Sequence, residues 1–153
     1  MILLPRSIYE MLVAHAVQDY PHECCGFITG TDEPCSWRVH RCTNIQNELH
    51  AKDPLQYPRD ARTAYVFSRK DMEDIFFGKF LPKDGRVVAF YHSHPDHPAY
   101  FSAKDRMEAV TGWLNPEPGY MVLSTTRTTV SEIRMYKWLE GKDDFKEISL
   151  KVN

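Results

Sequence analysis

The residues best equipped for chemistry crowd one stretch: Tyr91-His92-Ser93-His94-Pro95, followed by Ser102 and Asp105. Seven residues separate His94 from Ser102, and two separate Ser102 from Asp105. Imidazole nitrogens and a carboxylate oxygen are zinc ligands, and a hydroxyl can donate to a developing oxyanion. The set is that of a candidate metallohydrolase.

Side chains in a strand alternate faces, so His92 and His94 share one face and Ser93 takes the other. A third ligand must come from elsewhere. Ser102 is the expected N-cap of a helix, with Asp105 at the spacing of a capping box. A helix start packed beside the strand end brings Asp105 to the two histidines, and two histidines plus a carboxylate leave a position for water. The cap would also fix where the Asp105 carboxylate points. Each feature alone has an ordinary explanation, a satisfied histidine pair or a plain helix cap. Together, four specified residues at fixed offsets arise by chance in such a chain on the order of once in a thousand. His92, His94 and His97 form a rival ligand set, although Pro95 and Pro98 bracket a turn there and Asp96-His97 also reads as a solvated loop tip.

Hydrolysis also needs a base that takes and returns a proton. Asp96 is the free carboxylate within the motif. Among distant acids, Glu23 stands at a helix-to-strand junction, just ahead of an apolar run. Spacing leaves Glu10, Glu33 and Glu48 as rivals, and each also reads as a surface carboxylate. Serine chemistry through Ser93 lacks the G-x-S-x-G elbow, and no Gly-x4-Gly-Lys-Ser/Thr run supports phosphate chemistry.

These residues need elements to position them. Ile8, Met11, Leu12, His15 and Ala16 recur at helical spacing and predict a helix over 6–20, stopped by Pro21. Cys24–Gly30 reads as a buried strand and Trp37–Thr43 as a second, joined through a turn at Thr31-Asp32-Glu33-Pro34. Asn44–Thr63 reads as a long polar loop, and Ala64–Phe67 as a short strand. Ser68 opens a helix with Asp71 as its capping partner, an apolar stripe of Met72, Ile75, Phe76 and Phe80, and Pro82 as its close. Arg86–His94 is an apolar run of the kind found in central strands. A third helix runs from Ser102 to near Gly112, and Leu114–Gly119 is a loop. Strands follow at Tyr120–Ser124, Val130–Leu139 and, after a turn at Lys142-Asp143-Asp144, Phe145–Leu150. The order predicts an α/β fold, a mixed sheet flanked by three helices.

The 153 residues suit one compact domain spanning 1–153, with hydrophobic residues at 42% and charged residues at 26%. The formal net charge of −2 gives no reason to expect nucleic acid or an anionic membrane as partner. No apolar run approaches the ~20 residues of a membrane span, and the start lacks the pattern of a signal peptide. A cytoplasmic location is expected. Cys24, Cys25, Cys35 and Cys42 form no C-x-x-C pair and read as reduced, mostly buried thiols, with a reactive vicinal pair at Cys24-Cys25 as the alternative.

The motif residues His92, His94, Ser102 and Asp105 resemble the JAMM signature of the MPN+ (JAB/MPN) metalloproteases. Pro21-His22-Glu23-Cys24-Cys25-Gly26 resembles the family's start, where a glutamate precedes the first strand. The resemblance covers nearly the whole chain and fills every signature position. It implies a cytidine-deaminase-like arrangement of sheet and helices. It implies Zn2+ held by His92, His94 and Asp105 with water as the fourth ligand, Glu23 as general base and then acid, and Ser102 on the oxyanion. The implied reaction is hydrolysis of a peptide or isopeptide bond at the C-terminus of a ubiquitin-like protein.

The chain lacks long C-terminal extensions, and only Asn44–Thr63 has the size of a family insertion. It therefore resembles the compact prokaryotic type that processes sulfur-carrier proteins of ubiquitin-like fold. Two alternatives stand beside this: an archaeal-type isopeptidase that removes ubiquitin-like modifiers, and a non-catalytic MPN scaffold. Tyr57, Tyr65, Tyr100 and Phe101 are candidates for lining a substrate groove. The sequence carries no signal for oligomeric state.

Overall fold

Helical spacing and apolar runs find most of the elements, and sheet register explains how they meet. The structure, a computed structural model, describes residues 1–111 and 117–153. Helix α1 (Arg6–Asp19) buries Ile8, Leu12, His15 and Ala16, as the spacing requires, but Met11, assigned to the same stripe, is exposed. Strands β2 (Cys25–Gly30), β3 (Arg38–Cys42), β4 (Arg86–Pro95), β5 (Gly119–Thr125), β6 (Val130–Leu139) and β7 (Asp144–Ile148) form a six-stranded sheet in the order β3-β2-β4-β5-β6-β7. The short β1 (Ile2–Leu4) pairs in parallel with β8 (Leu150–Val152), a separate sheet that splits the single last strand expected near Phe145–Leu150.

The mixed α/β fold is as expected. Strand β4 is buried from Val88 to Pro95 and central. It pairs antiparallel with β2 and parallel with β5. A parallel neighbour requires a crossover connection, which here includes α4 (Ala103–Thr111). The chain thus leaves the C-terminal end of β4 and enters α4 after a short loop.

The sheet has two apolar faces. One packs Ile28, Ala89, Tyr91 and Met121 with Leu12 and Ala16 of α1. The other packs Phe27, Phe90, Tyr120 and Val122 with Ala109 of α4. Between β2 and β4 the approach is close: a Cβ on Gly26 would lie 2.4 Å from the Tyr91 side chain and 2.5 Å from the His40 carbonyl oxygen. Tyr91 is itself tied to α1 through a 2.7 Å hydrogen bond between its hydroxyl and His15 Nδ1.

Three sequence expectations need correction. The stretch Asn44–Thr63 is not all loop, because α2 (Gln46–Lys52) lies inside it. That helix buries only Gln46, so it offers no apolar stripe to detect. Ala64–Phe67 is not a strand but makes a single bridge, Asn44 to Phe67. Helix α3 (Arg69–Phe76) has the expected Ser68 cap, whose hydroxyl accepts from the Asp71 N–H at 3.1 Å, but it ends well before Pro82. Phe76, assigned to its apolar stripe, is 81% exposed, whereas Phe80, beyond the helix, stacks on His40 at 4.6 Å. With α2 added, the described residues hold four α-helices rather than three. The expected end of the third helix at Gly112 and the start of the loop at Leu114 lie outside the described residues.

The four cysteines are free thiols, with Cys24, Cys25 and Cys42 buried and Cys35 exposed. Burial pushes the Cys24 thiol up to about 12 and raises Cys25 well above its usual value, an environment that disfavours the reactive vicinal pair. No described helix is long and apolar enough to cross a membrane.

Candidate functional site

Strand register assembles the site. Cys25 pairs with His92 across β2 and β4. One step further, the Cys24 N–H donates to Ser93 Oγ at 2.8 Å and the Ser93 N–H donates to the Cys24 carbonyl at 3.1 Å. With a side-chain period of two, Glu23 and Cys25 share the face of His92 and His94. Ser93 points to the other face, as its position demands, but it is no bystander: its hydroxyl fastens the segment carrying Glu23 to β4. Asn44 secures that segment from the other side, its amide donating to the Glu23 carbonyl at 2.9 Å and to the Ala64 carbonyl at 3.1 Å.

The start of α4 supplies the next carboxylate. Ser102 and Asp105 form a reciprocal capping box, the Asp105 N–H donating to Ser102 Oγ and the Ser102 N–H to Asp105 Oδ2, each at 3.0 Å. The box turns the buried Asp105 carboxylate to both histidines. Asp105 Oδ1 lies 3.4 Å from His92 Nε2, and Oδ2 lies 3.6 Å from His94 Nε2. The two Nε2 atoms are 3.1 Å apart. Ser102 Oγ accepts from the helix, so its own proton is left to donate elsewhere. The Glu23 carboxylate approaches the same histidines, the three ligand atoms lying within 4.8 Å of one another.

These separations fit a small metal ion. Four ligands about 2.0–2.1 Å from zinc in a tetrahedron lie about 3.3–3.4 Å from each other, close to the 3.1 Å between the two Nε2 atoms; Asp105 meets the histidines through two different oxygens, and Glu23 reaches the same pair. Tautomer agrees as well. His94 Nδ1 donates to the Pro98 carbonyl at 2.9 Å, so in the neutral ring Nε2 carries the lone pair and faces the cluster. The His92 ring is fixed by stacking on Tyr65 at 4.6 Å, and His94 meets Tyr100 edge-on at 5.1 Å.

The two carboxylates differ in proton affinity. Burial pushes Glu23 up to about 9, helped by the Asp105 charge. Burial also acts to raise Asp105, but the charge His92 carries when protonated, the close imidazoles and the Ser102 N–H outweigh it and hold Asp105 well below the usual carboxylate range in the metal-free protein.

The cluster opens into a cleft of about 330 Å³. All the residues singled out from the motif and its upstream partner, Glu23, His92, His94, Ser102 and Asp105, come together here. His97 does not join the cluster; it lines the cleft as an exposed residue on the loop after β4. Of the proposed lining aromatics, Tyr65 and Tyr100 line the cleft. Phe101 is instead 6% exposed and stacks on Tyr136 in the core, and Tyr57 turns its carbonyl to His50. Sequence reasoning missed Glu108 and the cations Arg59, Arg62 and Lys104, which also line the cleft. Glu108, one helical turn after Asp105, could have been found by spacing; Arg59 and Arg62 reach the cleft through the fold of the polar segment after α2, which leaves no periodic trace.

The chain belongs to the family described as prokaryotic homologs of the JAB domain, whose model matches residues 5–137. Among its relatives are the CysO-cysteine peptidases of Mycobacterium bovis and Mycobacterium tuberculosis, 29% identical over 140 residues that cover 92% of this chain and 84% of theirs. A solution structure of a protein from Desulfitobacterium hafniense matches with a TM-score of 0.68 at 24% identity, covering 100% of this chain and 93% of that one. A JAB1/MPN domain protein from Archaeoglobus fulgidus matches with a TM-score of 0.51 at 14% identity, covering 99% and 97%. At these identities the structural matches speak for the fold.

Proposed function

We propose that this protein is a zinc peptidase that hydrolyses a peptide bond at the C-terminus of a ubiquitin-like sulfur-carrier protein. The observation that carries the reading is the convergence of two histidine Nε2 atoms with the buried Asp105 and Glu23 carboxylates at the head of a cleft. The CysO-cysteine peptidase relatives support the substrate class.

In this reading His92, His94 and Asp105 hold the ion. Zinc bound there supplies a Lewis acid that brings the pKa of water down towards about 7. Glu23 takes a proton from the attacking water and returns it to the departing amine. Ser102 donates its free proton to the oxyanion of the tetrahedral intermediate. In balance, OH is added to the carbonyl carbon of the carrier's terminal glycine, the C–N bond breaks, and hydrogen goes to the released nitrogen.

The test is incubation of a sulfur-carrier protein ending in Gly-Gly-Cys with the zinc-loaded enzyme and with Glu23→Ala, read by mass spectrometry. The wild type is expected to release cysteine, and Glu23→Ala to lose turnover with zinc still bound. Unchanged activity in the variant removes Glu23 as the base. A zinc-loaded wild type that cleaves no such tail but still binds the carrier favours a scaffold.

A further inference from the structure

We propose that the Arg59 guanidinium receives the free α-carboxylate of the residue being released, making this enzyme an exopeptidase for C-terminal residues. The inference rests on the peptidase reading above and adds a recognition site to it. Of the three arginine and lysine side chains lining the cleft, two are engaged. Arg62 holds Asp60 at 2.8 Å, and Lys104 faces Glu108 at 3.7 Å. Among the described residues, Arg59 has no ion pair and no side-chain hydrogen bond.

The Arg59 side chain is exposed, but its backbone is built into the site. The buried Gln46 donates from Nε2 to the Arg59 carbonyl at 2.8 Å. Two residues on, the Ala61 N–H donates to Asn47 Oδ1 at 2.8 Å, and the Ala61 carbonyl accepts from the Glu23 N–H at 2.7 Å. Helix α2 thus fixes the segment that carries Arg59, and the same segment is hydrogen-bonded to Glu23. Glu23, Arg59 and Lys104 line the same cleft.

Reaction chemistry asks for this neighbourhood. In a C-terminal residue, a single carbon separates the departing nitrogen from the α-carboxylate. The group that returns a proton to that nitrogen and the group that grips the carboxylate must therefore lie in one cleft, as Glu23 and Arg59 do. A guanidinium is the side chain that pairs a carboxylate in bidentate fashion. A lysine ε-amine released from an isopeptide bond carries no carboxylate on the carbon bearing its nitrogen, and would leave Arg59 unmatched.

The experiment compares a sulfur-carrier protein ending in Gly-Gly-Cys as the free acid with the same protein ending in the cysteine carboxamide. Two readouts are taken: steady-state cleavage by the zinc-loaded enzyme, and anisotropy binding to the metal-stripped enzyme. The acid is expected to show a KM and a dissociation constant about tenfold or more below those of the amide, with similar kcat. Arg59→Gln should bring acid and amide within about twofold of each other, and Arg59→Lys should restore part of the preference. Equal binding of acid and amide by the wild type, or an acid preference that survives Arg59→Gln, overturns the proposal. Equal binding alongside cleavage of both forms removes the subsite and leaves the peptidase reading intact. A preference for the acid without any cleavage removes the peptidase reading and leaves the carboxylate site.

Discussion

At the scale of the residue, Glu23 and Asp105 hold opposite proton affinities in the metal-free protein. Glu23 bears directly on stability. Its folded value of about 9 lies above the usual 4.5, so across that window the folded, metal-free protein binds more protons than the unfolded chain. Stability from this group is present below about pH 4.5 and is lost as pH rises, by up to ~1.4 kcal/mol per pH unit. Glu23→Gln is therefore expected to stabilise the EDTA-treated protein, with a gain that grows between pH 5.5 and pH 8 in urea denaturation. Ser102 bears on rate. With the proposed oxyanion contact removed, Ser102→Ala should lose about 10²–10³ in kcat and about 1 kcal/mol of stability through the lost cap. Zinc content should be unchanged, so a loss of metal without a loss of rate would contradict the assigned role.

His92, His94, Ser102 and Asp105 were legible because strand alternation and the capping box are local rules. Glu23 was not, because register between β2 and β4 brings it to the site, and these strands are distant in sequence. Family resemblance supplied it instead.

At the scale of the element, the segment from Asn44 to Phe67 does more than connect strands. Asn44 makes four hydrogen bonds: its Oδ1 accepts from Gln46 and Val66, and its amide donates to Glu23 and Ala64. It opens α2 and anchors the backbone of Glu23 together. Asn44→Ala should cost about 2–4 kcal/mol and lower kcat through displacement of Glu23. Zinc affinity should hold, since Asn44 bonds none of His92, His94 and Asp105. Equal loss of zinc and activity would show that the segment supports the histidines instead. This region was read as loop because its order comes from polar side chains tied to backbone, which no hydrophobic period reveals. The same limit explains Phe76: helical spacing assigned it a buried face, but α3 has no buried residue to define one.

At the scale of the whole molecule, the site sits where an α/β topology favours ligands, at the carboxyl end of a central strand before a crossover helix. β4 presents the histidines, α4 brings Ser102 and Asp105, the start of β2 brings Glu23, and the segment after α2 adds Arg59. Each comes from a different part of the chain, and the sheet sets their spacing. The central claim is that His92, His94 and Asp105 form one metal centre and His97 does not. Native mass spectrometry of zinc stoichiometry tests it most directly. One zinc per chain is predicted for the wild type and His97→Ala, and strongly reduced occupancy for His92→Ala, His94→Ala and Asp105→Ala. A wild type that binds no zinc, or loss of zinc only in His97→Ala, would contradict the account.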